Sequence, residues 1–385
     1  MKQFIYSILF VFSIHGAFSQ TQELVLKDNF ETDENTMLNI DIDNVTIEFQ
    51  ESPNSKIYLD YRIVFKKDAE DVIYKVFKDI DAKVSKDKNM VKLEVKNSAF
   101  LRELYSLDIN PTMIDLDRFK KLMKDYMKMR KENQFIYKSK EALLSEIEFS
   151  LGSDLNDYFK RLKKKYPNKN FGKSGRKFKQ KFIIKVPKNL KIKIKALHSI
   201  ITFHYDIDRP IEVSSFLTYL KFKKINNAEN KFNLTNGLFQ SKEIIGGIYN
   251  LKDLRKTAIG SISNAKIGAE TSKIQIGEIG ENVEFNDFNS NIYFYNFSNQ
   301  FNQFKYTGDY SKLFFYNVKA SNYSMNVYGH NTTLNMNNKK TTFGVSKEKK
   351  RTKILDKKAK NNNSSGNIEL EVKNGILNIL PIKKG

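Results

Sequence analysis

Histidine and aspartate side chains come close together at one place in the sequence, and both residue types are common metal ligands. In the segment HSIITFHYDID, His198 and His204 precede Asp206 and Asp208. The segment alternates like a β-strand, so six residues separate the two histidines by ~20 Å and a single ion cannot bind both. His204 and Asp206 alone supply too few ligands. The sequence therefore predicts a strand end and a turn here, with no metal and no other cofactor.

Carboxylates are the second group that could perform chemistry, because a glycoside hydrolase needs two of them about 5 to 9.5 Å apart. The chain has no cysteine, and no G-x-S-x-G motif, phosphate loop or dinucleotide fingerprint is present. The sequence predicts that the protein is not an enzyme, with polysaccharide cleavage as the least favoured alternative. The acids of the repetitive region are scattered and share no spacing: Glu270, Glu278, Glu281, Glu284, Asp287 and Asp309.

Basic residues are concentrated in two segments of the chain, residues 158–205 and 339–360. The formal net charge is +22, and residues 158–205 contain 16 Lys or Arg and no Asp or Glu. Such a segment could bind an anionic polymer, either extracellular DNA or an acidic polysaccharide, through counterion release. The alternative is a solvated strand face, because LKIKIKA at 190–196 alternates lysine with apolar residues. The candidate contacts are Lys163, Lys164, Lys165, Arg176, Lys177, Lys179, Lys191, Lys193 and Lys195.

The first twenty residues, MKQFIYSILFVFSIHGAFSQ, have the three parts of a secretory signal peptide. A lysine at position 2 precedes an apolar run from Phe4 to Ile14, and cleavage is expected after Ser19, which gives a signal peptide of residues 1–19. The apolar run is shorter than the ~20 residues that span a bilayer, and no later segment is apolar enough to do so. The sequence predicts export to the periplasm, the outer surface or the medium, with no transmembrane segment in the mature chain.

The elements that would position these side chains begin with a β segment at 20–98. There MLNIDIDNVTIEF alternates apolar and polar residues on both sides of Asp43-Asn44, which predicts two strands joined by a tight turn. In residues 99–178 the apolar spacing changes to three and four residues, which predicts a helical insertion that ends in a basic linker.

Strands return in residues 179–340 as a loose repeat. A turn residue, any residue and then Ile or Leu recur, as in Ser272-Lys273-Ile274, at one or two steps of roughly 18 to 21 residues. Units of this length cannot bury a core alone, so they stack on their neighbours. The predicted fold is all-β, an irregular β-solenoid or β-roll of short strands with an α-helical insertion. A β-sandwich is the alternative.

Two segments follow the repeats. Residues 341–365 are basic and of low complexity, which predicts a loop. Residues 366–385 contain NIELEVKNGILNILP, and the Asn374-Gly375 pair predicts a hairpin that caps the array.

An aromatic series also lies within the repeats. In stacked strands one parity of such a series faces the core, which is the preferred interpretation, while tyrosines of the other parity remain available to a ligand. The members are Phe285, Phe288, Tyr293, Phe294, Tyr295, Phe297, Phe301, Phe304 and Tyr306.

Three features together resemble a known family. They are VTIEF at 45–49, FIIKVPKNLKIKI at 182–194 and the turn-x-Ile/Leu units that follow Ile200. They are similar to the bacterial putative adhesins, a family with a domain of unknown function of the head GIN type. The resemblance covers most of the mature chain apart from the helical insertion, although Ser, Asn or Thr often replaces the family's turn glycines. It implies an exported, β-rich protein with a non-enzymatic role and an unidentified partner at the cell envelope or surface.

Overall fold

The computed structural model describes residues 20–66, 76–97, 178–316, 318, 323–337, 339–344, 352–357 and 366–380. The predicted signal peptide lies outside them, and so does the predicted helical insertion except for Phe178. The described residues form 27 strands in two sheets. The strands are β1 (Gln20–Glu31), β2 (Met37–Asp43), β3 (Thr46–Glu51), β4 (Lys56–Lys66), β5 (Ile80–Asp87), β6 (Met90–Asn97), β7 (Phe178–Val186), β8 (Lys191–Leu197), β9 (Ile200–Phe203), β10 (Ile211–Phe216), β11 (Tyr219–Asn226), β12 (Lys231–Thr235), β13 (Leu238–Ile245), β14 (Ile248–Lys252), β15 (Lys256–Ser263), β16 (Lys266–Glu270), β17 (Lys273–Ile279), β18 (Val283–Phe288), β19 (Asn291–Phe297), β20 (Gln303–Asp309), β21 (Lys312–Phe315), β22 (Tyr323–His330), β23 (Thr332–Met336), β24 (Lys339–Phe343), β25 (Thr352–Lys357), β26 (Gly366–Lys373) and β27 (Ile376–Ile379).

The chain alternates between the two sheets, here called sheet A and sheet B. Sheet A has the order β1-β4-β7-β3-β9-β11-β13-β15-β17-β19-β21-β27-β23-β24, and sheet B has the order β25-β22-β26-β20-β18-β16-β14-β12-β10-β8-β2-β6-β5. From β8 to β21 each sheet B strand is followed by a sheet A strand, and every strand pairs in parallel with the equivalent strand of the next unit. We call one such pair of strands a coil. This arrangement confirms the predicted all-β fold and has the winding of a β-solenoid.

The turn between the two strands of a coil, here called the corner, holds a residue with positive φ. Asn is frequent there because its short side chain tolerates this left-handed conformation. These residues are 17 to 21 apart. Where two sequence triplets are separated by two such steps, one further coil therefore lies between them. They are His198, Leu217, Asn236, Asp253, Thr271, Asn289 and Tyr310.

A serine or threonine commonly follows the corner residue and ties neighbouring coils together. Ser272 Oγ accepts a hydrogen bond from the Leu254 amide at 3.0 Å, and the Ser272 amide donates to Ser290 Oγ at 3.0 Å. The Ser290 amide in turn donates to Ser311 Oγ at 3.1 Å. These hydroxyls satisfy buried amides where the strand ladders are interrupted by the change of sheet.

Between the sheets lies one continuous core built from the inward parity of each strand. Its aromatic side chains stack from coil to coil, as the sequence pattern predicts for one parity. Phe203 stacks on Phe49 at 4.2 Å between ring centroids and on Phe222 at 4.8 Å. Because Phe49 belongs to β3, the N-terminal β segment and the repeat region share one core, although the predicted domain boundaries separate them.

Asp43-Asn44 lies between two strands, as predicted, but these strands do not pair with each other. Strand β2 pairs with β6 and β8 in sheet B, whereas β3 pairs with β7 and β9 in sheet A. The turn is therefore a corner, with Asn44 at φ 58°. Alternation and an Asn turn are common to hairpins and corners, and only the pairing partners distinguish the two.

The prediction of a C-terminal capping hairpin is wrong. Strands β26 and β27 lie in different sheets and meet at a corner with Asn374 at φ 46°. Together they form a coil inserted between the β20–β21 coil and the earlier β22–β23 coil. The predicted 341–365 loop contains β25, which pairs antiparallel with β22 at the edge of sheet B.

Candidate interaction surface

The structure places the predicted basic contacts on more than one surface. Lys191, Lys193 and Lys195 point outward from β8 in sheet B and are exposed, as their alternation predicts. Lys179 is also exposed, but it belongs to β7 in sheet A. The two sheets face opposite directions, so these four lysines do not form one patch. The other five candidates, Lys163, Lys164, Lys165, Arg176 and Lys177, lie outside the described residues.

Acidic side chains of the flanking strands compensate the lysines of β8. Lys193 Nζ lies 3.0 Å from Glu212 of β10, and Lys195 Nζ lies 3.4 Å from Asp41 of β2. Both acids lie outside the acid-free part of the sequence, and they reach the lysines because β8 lies between β2 and β10 in sheet B. The charge imbalance of the segment is therefore partly neutralised by sheet pairing.

The histidines of the sequence stand apart in the fold. His198 Nδ1 contacts Asp43 Oδ1 at 3.1 Å on one side of the coil, and His204 Nε2 lies 3.5 Å from Glu48 Oε2. Asp208 instead accepts a hydrogen bond from Asn226 at 3.2 Å. Within the described part of the chain, no three His, Asp or Glu side chains are arranged to hold a metal ion.

The aromatic series divides by parity. Phe285, Phe294 and Phe304 belong to the core, whereas Tyr293 and Tyr295 belong to a separate cluster on the outer side of sheet A. In that cluster Tyr293 stacks on Phe314 at 4.6 Å and Tyr295 stacks on Tyr316 at 5.1 Å. Tyr295 and Tyr316 are only 4% and 5% exposed, so these two rings are packed, whereas Tyr293 and Phe314 are half-buried.

The outer face of sheet B carries a row of neutral polar side chains that extends across five neighbouring strands. Strand pairing aligns Ser214 with Asn233, Asn233 with Asn250, Asn250 with Gly268, and Gly268 with Asn286. Asn250 Nδ2 donates a hydrogen bond to Asn233 Oδ1 at 2.8 Å. Adjacent amides are therefore held about 4.8 Å apart, at the spacing of the strands.

Gly268 interrupts this row and leaves a depression of about 620 Å³, which we call the sheet B groove. A Cβ atom at Gly268 would lie 2.9 Å from Asn250 Oδ1, so a side chain at this position would displace the Asn250 amide. The outward-facing residues that line the sheet B groove are Asn233, Thr235, Asn250, Lys252, Gly268, Glu270, Asn286 and Phe288.

One end of the sheet B groove is aromatic. Phe288 is 50% exposed and meets Tyr310, which is 57% exposed, in an edge-to-face contact with 5.9 Å between ring centroids. Tyr310 occupies a corner, where its positive φ directs the side chain beyond the sheet edge. Two large rings so exposed are uncommon among the described residues, most of whose aromatic side chains are buried.

The charges around the sheet B groove occur in pairs. Lys252 Nζ lies 2.9 Å from Glu270 Oε1, and Lys266 Nζ lies 3.3 Å from Glu284 Oε2. The hydrogen bond to Glu270 raises the pKa of Lys252, so the lysine is charged at neutral pH. The rim is therefore polar with little net charge.

Sequence reasoning missed the sheet B groove. Its asparagines are ordinary in a chain rich in Asn, and only the register of the coils aligns them. Asn233, Asn250, Gly268 and Asn286 recur at 17 or 18 residues. Alignment of the units by their corner residues would have revealed this row.

The class defined by these features is a two-sheeted, mainly parallel β-solenoid with an exposed polar face. No family model matches the chain, and no curated protein matches it. Among solved structures, the chain matches a putative cell adhesion protein from Clostridium sporogenes ATCC 15579. The two are 9% identical, the match covers 94% of this chain and 100% of the other, and the TM-score is 0.20. A likeness at this TM-score carries no argument about fold or function. None of the helices formed by the described residues has the length and apolarity required to cross a bilayer.

Proposed function

We propose that the protein is an exported, non-enzymatic, adhesin-like interaction module of the cell envelope. The observation that carries this proposal is the outer face of sheet B, where side chains from successive coils form rows with a fixed spacing. Rows of this kind suit recognition of an extended, repetitive partner, because each coil presents the same kind of contact. The predicted signal peptide supports a location outside the cytoplasm.

The rigidity of this face also supports a binding role. The corner hydroxyls and the stacked core hold each coil to the next. A preformed surface loses little conformational entropy when it binds, so weak individual contacts can sum to a useful affinity.

The alternative, a binder of anionic polymer, receives less support. Of the lysines predicted to contact such a polymer, those that the structure describes lie on opposite sheets, and two of them are paired with carboxylates. A paired lysine on the surface offers little net attraction to a distant polyanion, because salt screens it and its partner cancels it.

Retention on isolated bacterial envelopes tests the proposal. Mature protein from residue 20 onward should co-sediment with envelopes both at physiological salt and at about 0.5 M salt, where the Debye length is well below ~8 Å. Unretained protein at either salt would contradict an adhesin-like role. Release of reducing or unsaturated sugar ends from a panel of glycans would instead show an enzyme. Retention that disappears at high salt would favour the anionic-polymer alternative.

A further inference from the structure

We propose that the sheet B groove binds an extended neutral polysaccharide chain that runs across the strands. This inference deepens the proposed function and rests on it, because it names the class of partner that the exposed face recognises.

The floor of the sheet B groove matches the chemistry of sugar hydroxyls. Asn side chains offer both a carbonyl acceptor and an amide donor, and a hydroxyl can use either. Asn233 and Asn250 are linked by a 2.8 Å hydrogen bond, which orients both amides along the row. Across the gap at Gly268, Asn286 is exposed on the neighbouring strand. The Asn250 and Asn286 amides thus lie on either side of Gly268, where the row has no side chain of its own, and a sugar unit would bind over this position.

The aromatic end supplies the apolar surface that a sugar ring requires. The faces of a pyranose ring carry C–H groups, and such faces pack on aromatic rings. Phe288 lies in register with Glu270 and at the end of the same strand as Asn286. A sugar unit on Phe288 could therefore be followed by units over Gly268 and the asparagine row. Tyr310 holds the Phe288 ring from the side at 5.9 Å.

The charge of the site selects neutral over acidic glycans. The two lysines at the rim, Lys252 and Lys266, both have carboxylate partners within 3.3 Å. An acidic polymer would meet those carboxylates as well as the lysines, so it gains no net attraction. A second copy of this chain is a different occupant, and it is distinguished by the oligomeric state in solution.

Affinity electrophoresis of the mature protein in gels that contain a neutral polysaccharide tests this proposal. The panel is β-glucan, mannan, xylan and galactan, with heparin and DNA as charged comparisons. We expect at least one neutral polysaccharide to retard the protein equally at low and high salt. Phe288→Ala should weaken this retardation at least tenfold, and Gly268→Gln, which fills the depression, should abolish it. Leu24→Ala is the control, because Leu24 is likewise 50% exposed but lies on β1 in sheet A, away from the sheet B groove.

Several outcomes would overturn the proposal. They are retardation by heparin or DNA alone, no retardation by any neutral polysaccharide, or an equal loss for Phe288→Ala and Leu24→Ala. Dimerisation that Gly268→Gln prevents would assign the face to a second copy of the chain. Far-ultraviolet circular dichroism of each variant excludes unfolding as the cause of a loss. If wild type and Gly268→Gln bind envelopes equally, the polysaccharide assignment fails while the adhesin-like function stands.

Discussion

Replacement of Ser272 by alanine should destabilise the protein far more than the loss of one oxygen atom suggests. Ser272 is 2% exposed, and its hydroxyl accepts from the Leu254 amide at 3.0 Å. Its single proton is shared between the carbonyls of Leu251 and Glu270, at 3.0 and 2.9 Å. Ser272→Ala leaves the buried Leu254 amide without a partner, which costs about 1 to 3 kcal/mol, and removes a donated bond that contributes about 1 kcal/mol. The expected loss in the free energy of unfolding is therefore about 2 to 4 kcal/mol.

Two control variants make the same kind of change where the hydroxyl has no role. The Thr257 and Ser298 hydroxyls are buried and have no hydrogen-bond partner among the described residues. Thr257→Val and Ser298→Ala should leave the stability unchanged or raise it by about 1 kcal/mol, because a lone buried hydroxyl costs free energy. Because the chain has no Trp, urea unfolding is followed by circular dichroism and tyrosine fluorescence, with the variants compared by their midpoints at constant slope. A midpoint for Ser272→Ala within error of the two controls would refute the role assigned to the corner hydroxyls.

Three further predictions concern the corners, the core and the basic segment. Leu217 has φ 51° at an exposed corner, so Leu217→Asn should stabilise the protein by about 1 kcal/mol. Asn236 has φ 52°, so Asn236→Ala should destabilise it by about 1 kcal/mol. Urea midpoints that shift in the same direction for both variants would contradict this. Burial raises the pKa of Asp287 above its usual value despite neighbouring hydroxyls, so its protonated form is favoured in the folded state and its contribution to stability falls as pH rises from about 4 towards the folded pKa. The stability gain of Asp287→Asn over wild type should therefore be larger at pH 7 than at pH 3.5, and a gain independent of pH in unfolding curves would exclude this. The double variant Asp41→Asn with Glu212→Gln removes the carboxylates beside the β8 lysines, so it should elute from heparin at higher salt than wild type, and unchanged elution would show that the pairing has no such effect.

Alternation in the sequence was sufficient to predict strands and their inward parity. The segment LKIKIKA shows this, because Ile192, Ile194 and Ala196 are buried and the lysines between them are exposed. The length of the repeat was also predictable, because each coil needs one corner with a residue that tolerates positive φ. The corner at Leu217 was not recognisable from the sequence, because leucine is not a usual turn residue.

Pairing partners were not predictable from local pattern. A turn such as Asn374-Gly375 is compatible with a hairpin and with a corner, and the choice depends on strands distant in the sequence. The same limit applies to charge. Lys193 is neutralised by Glu212, and the count of charges along the sequence cannot include an acid that arrives from another coil. The sheet B groove depends on both kinds of information, since it requires the register of several coils.

The position of the β26–β27 coil constrains the order in which the neighbouring coils can assemble. Strands β22 and β23 are made first, but their parallel partners within the array are β26 and β27, which lie at the end of the described chain. A chain synthesised from its N-terminus cannot assemble this part of the array until residues 366–379 have been made. Loss of residues from 366 onward, by truncation or proteolysis, would expose the pairing edges of β20 and β21 and leave β22 and β23 without their parallel partners. Open edges of this kind recruit other strands, so copies that lack β26 and β27 should aggregate. The order of these coils therefore makes the integrity of the 366–379 segment a condition for closing this part of the array.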